Sequence, residues 1–329
     1  MPNKPEQALK GRVVRCILFD LGNTLWSHRN HDKWKLLEAS ANQRAVALLR
    51  EHVAFQLPAN LDDLTLGLRL REFFNQYVRT LIHRNPEIEP NGPSAAMETL
   101  LEWGIKGIDI RFGAVIFEAL RVRIPESRLL FEDTVQTLAT LQQRGFLLGV
   151  VTNRIWGGEP FQQDMQILGL FDYFDPATIA VSGDLGVRKP NSAIFFHALN
   201  ELNVEPQDAV MVGDSLSTDI LGAQRLGIFA VWKPKPSVRE RISAQLLTDR
   251  GSKNVYRVQQ TPLEPEIVPD EISMYEALPG MQITDDDYVL AQVKHSDYLE
   301  KYLSGEIMPD LIIEHSRDLL DVFTEVGMQ

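Results

Sequence analysis

One cysteine in 329 residues, Cys16, leaves no pair to close a disulfide. Stability must therefore come from packing, and the chain suits a reducing compartment. Basic residues are also in deficit, 33 Lys/Arg against 45 Asp/Glu for a net charge of −12. A protein that holds nucleic acid by bulk charge needs the opposite balance. No apolar run approaches the roughly 20 residues of a membrane-spanning helix, and the opening stretch MPNKPEQALKGRVVRC lacks the apolar centre of a secretion signal. These absences predict a cytoplasmic protein with no nucleic-acid and no membrane partner. Missing too are Gly-x-x-x-x-Gly-Lys-Ser/Thr, His-Glu-x-x-His, Cys-x-x-Cys and Gly-x-Ser-x-Gly. That removes the P-loop, the zincin site, the paired-thiol site and the serine elbow from consideration.

What is present is an ordinary globular composition, 44% hydrophobic and 24% charged, long enough for one large or two ordinary domains. The stretch ILFDLGNTL at 17–25 runs three apolar residues into Asp20 and then into a polar turn. Val13 to Phe19 reads as a fully buried strand of a parallel sheet. From about Ser27 to Arg123 the pattern becomes helical: Leu37, Ala41, Ala45, Leu48 and Leu49 form one stripe and Leu66, Leu70, Phe73, Tyr77 and Leu81 another. Helices are further expected over 96–103, stopped by Gly104, and over 112–120.

Strand and helix then alternate. Helices are expected over 132–144, 160–168, 193–202 and 219–226, and strands at FLLGVVTN, ATIAVSG, DAVMVGDS and IFAVWKP. Units of this length predict an α/β fold, a doubly wound parallel Rossmann-like sheet. Ligands in such sheets sit beyond the carboxyl ends of the strands, and Asp20, Thr152 and Asp214 all fall there. Residues 236–329 hold 8 Lys/Arg against 18 Asp/Glu, so all but two of the excess negative charges lie in this third. TPLEPEIVPDE and TDDDYV read as loops, whereas PDLIIEHSRDLLDVF reads as a strand over 311–313 and an amphipathic helix.

Four signals come in order: Asp20-x-x-x-Thr24 after a strand; Thr152-Asn153 after a strand; Lys189-Pro190 heading a helix; and Gly213-Asp214-Ser215 with Asp219 five residues beyond Asp214. Together they resemble the haloacid dehalogenase-like (HAD) hydrolase superfamily, in its helical-cap subclass. The resemblance implies a core of 1–26, 124–236 and 309–329, an inserted helical cap at 27–123, and an acidic insertion at 237–308 of unknown role. It further implies a Mg²⁺-dependent phosphatase acting on a small-molecule phosphate ester through an aspartyl-phosphate. Asp20 would be the nucleophile. Asp20, Asp214 and the Gly22 carbonyl would hold the metal, a hard ion that prefers oxygen ligands. Thr152, Asn153 and Lys189 would bind the phosphoryl group, with Lys189 oriented by Asp219. Arg188 and Ser215 are read as neighbours, and Trp26, His28 and His31 as loop packing. The insertion 237–308 is a candidate surface for protein contact.

One position departs from the pattern. Phosphatases of this superfamily usually carry a second Asp two residues after the nucleophile, and here Gly22 stands there. A positioned acid contributes about 10²- to 10⁴-fold, against a total acceleration that reaches roughly 10²¹ for phosphate esters. A slower phosphatase, or one with a substitute base such as His28, is the expectation. A metal-independent 2-haloacid dehalogenase and a weakened HAD-fold scaffold remain as alternatives.

Overall fold

The computed structural model describes residues 9, 11–28, 31–57, 61–251 and 297–326. Strand β1 (Cys16–Phe19) is buried along its whole length. β4 (Leu147–Thr152) and β6 (Ala209–Gly213) flank it in parallel, with Phe19 level with Val150 on one side and with Val212 on the other. β5 (Ile179–Val181) lies outside β4, and β7 (Phe229–Trp232) and β8 (Leu311–Ile312) lie outside β6, giving the order β5-β4-β1-β6-β7-β8. Every recorded pairing in this sheet is parallel. Its inner strands read as unbroken apolar runs because helices cover both faces. Cys16 lies at 0% exposure on the central strand, and burial pushes its thiol up to about 12.

Between β1 and β4 stand a short ribbon and a helical layer. β2 (Trp26–His28) pairs antiparallel with β3 (Arg128–Leu130), Trp26 opposite Leu130 and His28 opposite Arg128. Helices α1 (His31–Val53), α2 (Asp63–Arg84), α3 (Gly92–Glu102) and α4 (Ile110–Ala119) intervene. Side-chain oxygens fix three of their starts. Asp62 accepts from the Thr65 amide at 2.8 Å, Asn91 from Ser94 at 2.9 Å, and Asp109 from Arg111 at 3.0 Å, satisfying amides that have no partner within the helix. The layer has its own apolar core, with Ala45, Leu49, Leu66, Leu70, Phe74, Ile116 and Leu120 at its centre. Phe74, not the expected Phe73, is the buried one, because the inward face is set by packing against the rings of Phe117 and Trp156 rather than by periodicity within α2.

After β3 come α5 (Thr134–Gln143), α6 (Gly158–Ile167) and α7 (Ser192–Leu202). Two expected helices are shorter than their patterns. Over 219–226 the chain makes a π-turn, Leu216–Ile220, and only then the α-helical turn Leu221–Gln224. Near the end, the amphipathic helix expected after β8 is a 3₁₀ segment, Ser316–Asp321. Leu319 and Phe323 nonetheless reach the sheet's core.

By contact the chain divides into Met1–Pro234 with Met308–Gln329, and Lys235–Ile307. The second unit contains α8 (Pro236–Gly251) and a short helix over 297–303. The stretches TPLEPEIVPDE and TDDDYV lie outside the described residues. No helix among the described residues is long and apolar enough to cross a membrane.

Candidate active site

Asp20 begins the turn that leaves β1, and its amide is held by the Val212 carbonyl at 2.9 Å. The side chain is 8% exposed. Its Oδ1 receives Lys189 Nζ at 2.7 Å, and Thr24 Oγ1 lies 3.4 Å from its Oδ2. Lys189, fully enclosed, spends its other bonds on Asp219 Oδ1 and the Val151 carbonyl, both at 2.7 Å. Asp219 sits inside the π-turn, and its Oδ2 accepts the Ser215 amide at 2.9 Å. Both its oxygens are thus engaged in holding Lys189 and the loop. π-turns recur at functional sites because they re-aim one side chain out of a regular helix.

Asp214 ends the neighbouring strand β6 and is only half-buried. Ligand oxygens of Asp20, Asp214 and Asp219 lie within 4.8 Å of one another. Three carboxylates are thus crowded together, and Lys189 pairs with two of them, Asp20 and Asp219. Burial is the first cause that pushes Asp20 up to about 7; Lys189 pulls it down, while Asp219 and Asp214 push it further up. Lys189 is held above its ordinary range: burial opposes its charge, but Asp20 and Asp219 outweigh burial. A divalent cation bound to carboxylate oxygens relieves this repulsion, and the all-oxygen donor set fits Mg²⁺.

Thr152 closes β4 at 5% exposure, and its hydroxyl has no protein partner among the described residues. Asn153 beside it is spent on the backbone of Lys189: its Nδ2 donates to the Lys189 carbonyl at 3.0 Å and its Oδ1 accepts the Lys189 amide at 2.8 Å. Gly213 has to be glycine, because a Cβ there would lie 2.3 Å from Asp219 Cγ. Gly22 differs: a Cβ would meet nothing within 4 Å, and its φ is not in the left-handed region. His28 stands at the exposed end of β2, edge-on to Trp34 with ring centroids 5.1 Å apart. Trp26 is core, and the side chain of His31 lies outside the described residues.

Sequence reasoning missed three contributors. Asn23, at φ 56, donates to Asp214 Oδ2 at 3.1 Å; the signal was the Gly-Asn turn, since Asn tolerates left-handed backbone. Lys233 follows β7, donates to the Thr24 carbonyl at 2.7 Å and lies 3.8 Å over Phe131. Its place just past a strand's carboxyl end was the signal. Glu89, in the loop between α2 and α3, is buried and pairs with Arg188 at 3.4 Å. Backbone bonds Glu89 N–Gly186 O at 3.1 Å and Arg188 N–Glu87 O at 3.0 Å tie that loop to the one carrying Lys189. No local pattern marks such a long-range contact.

A carboxylate on the central strand, a lysine and two more carboxylates beyond the strand ends define a class of hydrolase, and the family comparison agrees. Residues 14–227 match the haloacid dehalogenase-like hydrolases, and the chain belongs to that family. Among its relatives, the glyceraldehyde 3-phosphate phosphatase of Pyrococcus furiosus is 31% identical over 229 residues, covering 67% of this chain and 81% of that protein. The N-acylneuraminate-9-phosphatase of Mus musculus is 28% identical over 228 residues, covering 67% and 82%. A HAD phosphatase crystal structure from Thermococcus onnurineus is 24% identical with a TM-score of 0.45, covering 68% of this chain and 87% of that one.

Proposed function

We propose that this chain is a phosphatase that hydrolyses a small phosphate monoester, with Asp20 as nucleophile and Mg²⁺ as its metal. The observation that carries this reading is the Asp20–Lys189 pair at 2.7 Å inside a cluster of three carboxylates. Asp20 attacks phosphorus and the bond from phosphorus to the leaving oxygen breaks. Water then splits the aspartyl-phosphate, returning Asp20 and releasing inorganic phosphate. Asp20, Asp214 and the Gly22 carbonyl would hold the metal. What the bound ion supplies is charge neutralisation between a carboxylate and a phosphoryl group.

The remaining work is positioning and charge compensation, the main levers in phosphoryl transfer. Lys189 neutralises a phosphoryl oxygen, kept in place by Asp219 through its side chain and by Asn153 through its backbone. The Thr152 hydroxyl offers a donor to another. Gly22 provides no proton for the leaving oxygen, so esters with acidic leaving groups should be the better substrates. A haloacid carboxylate would meet the half-buried carboxylate of Asp214, which disfavours dehalogenation. Residues 27–123 act in this reading as the cap that selects the ester, and 237–308 lie outside the chemistry.

The test is release of inorganic phosphate from p-nitrophenyl phosphate and a panel of phosphorylated metabolites, with Mg²⁺ and again with EDTA. Metal-dependent release supports the reading. Equal rates with EDTA, or no release from any ester, overturn it.

A further inference from the structure

Two residues beyond Thr152, the chain carries an arginine that makes no ion pair among the described residues. Arg154 is anchored by its backbone: its amide donates to the Ser182 hydroxyl oxygen at 2.7 Å, and its carbonyl accepts the Gly183 amide at 2.9 Å. This fixes it beyond the carboxyl ends of β4 and β5, the end of the sheet where Asp20 lies. Its Nε donates to the Trp156 carbonyl at 2.9 Å, and its guanidinium stands 5.7 Å over Phe161. Its two terminal nitrogens have no protein acceptor among the described residues, yet neither is sealed from solvent.

Arg128 is a second such arginine. It sits on β3 opposite His28, two residues along from the Trp26–Leu130 pair, and Trp26 bridges back to Gly22 in the turn that follows Asp20. Its guanidinium lies 4.9 Å over Trp34, with one long bond, 3.3 Å, to the Ser127 carbonyl. Both side chains are half-buried, and neither makes an ion pair among the described residues. Burial first, then the charges of Arg128 and Arg121, push Arg154 down to about 10, while the charge of Asp164 pulls it back up. Its near neighbours Arg121 and Arg123 behave differently, since Asp164 answers both, at 2.7 and 3.0 Å. Burying charge without an ion-pair partner is costly, and two guanidiniums near enough for the charge of one to act on the other, each lying over an aromatic face, suit the binding of an anion.

We propose that Arg128 and Arg154 form a subsite for a second anionic group, a carboxylate or a second phosphate, carried by the phosphate ester whose phosphoryl group meets Asp20. The inference rests on the phosphatase reading for the first anchor and adds the class of substrate. The shared alcohol portion is short, because Arg154 lies only two residues past Thr152. The aromatic faces hold the guanidinium planes in place, so that less side-chain entropy is lost on binding.

The test uses full-length protein carrying Asp20→Asn, which keeps esters intact, titrated in Mg²⁺ buffer with 3-phosphoglycerate, 1,3-propanediol bisphosphate and glycerol 3-phosphate. The first two should bind about tenfold or more tightly than the third. Adding Arg154→Gln or Arg128→Gln should bring the ratio toward one, with Arg154→Lys intermediate. The parent enzyme should show the same order in kcat/KM. Affinities equal within about twofold for all three esters overturn the subsite, as does a preference that survives both Gln substitutions. The bisphosphate binding alone would assign the subsite to phosphate, and 3-phosphoglycerate alone to carboxylate. A binding preference without hydrolysis of any ester removes the phosphatase and keeps the subsite; hydrolysis without preference does the reverse.

Discussion

Two buried charge clusters in this molecule are built differently. Around Asp164, which is fully buried, one carboxylate accepts from Arg121, from Arg123 twice and from the Ile124 amide; Glu118 answers Arg121 from outside at 2.9 Å. Charges cancel there, and the cluster pins the exit of the helical layer to α6. Around Asp20 three carboxylates are crowded together, two of them, Asp20 and Asp219, sharing Lys189. A fold that needed only cohesion has no reason to keep like charges so close. The first cluster is complete within the protein, whereas under the proposed function the second would be completed by a cation and a substrate.

Removing a member of each sharpens the contrast. Asp20→Asn should cost the most, abolishing phosphate release to background while leaving the thermal midpoint at or above that of the metal-free parent, since it relieves repulsion. A folded variant that turns over at the parent rate would sink the nucleophile assignment. Gly22→Asp should act in the other direction. The open space and ordinary φ at Gly22 admit the side chain, and rates with poor leaving groups should rise by about 10²-fold, the low end for a positioned acid. p-Nitrophenyl phosphate should gain far less; a uniform gain would point to something other than proton transfer.

Asp164→Ala should break the balanced cluster and cost about 3–5 kcal/mol, the usual penalty for orphaning a buried ion-pair partner. A shift in the urea midpoint is the readout, and turnover per folded molecule should change little. The smallest effect concerns pH and metal. Asp20 titrates near 7 in the folded chain against an ordinary 3.8, so the folded state favours its protonated form. That contribution to stability is present below about pH 4 and lost as pH rises through 7. Mg²⁺ should therefore raise the melting temperature more at pH 8 than at pH 5.5, where it must first displace a proton. Equal shifts at both pH values would contradict this crowding of carboxylates.

That Asp20, Lys189 and Asp214 come together was legible because each follows an unbroken apolar strand or heads a helix in a fixed order. Strand ends are local features, and residue chemistry there is readable. Contacts made across the fold were not. Asn153 looked like a substrate ligand beside Thr152, but its amide is matched to a backbone 36 positions away. Glu89 gave no signal, since its partner Arg188 lies on a different layer. Periodicity placed the helices of the inserted layer and missed which of Phe73 and Phe74 faces inward, a choice between adjacent positions made by the opposing rings of Phe117 and Trp156. The segment 219–226 looked helical because its apolar residues run on into the α-helical turn Leu221–Gln224, with nothing local to mark the π-turn before it.

The sulfur of Cys16 has a practical consequence. It is the one thiol in the chain, sealed at the start of the central strand and held protonated. A thiol reagent reaches it only when the sheet opens around it, because Cys16 is level with Leu147 on one side and with Ala209 on the other. The rate at which a maleimide or disulfide reagent consumes the native protein is thus a clock for that opening. Substrate, Mg²⁺ and each variant can be ranked by how far they slow that clock, with no label added.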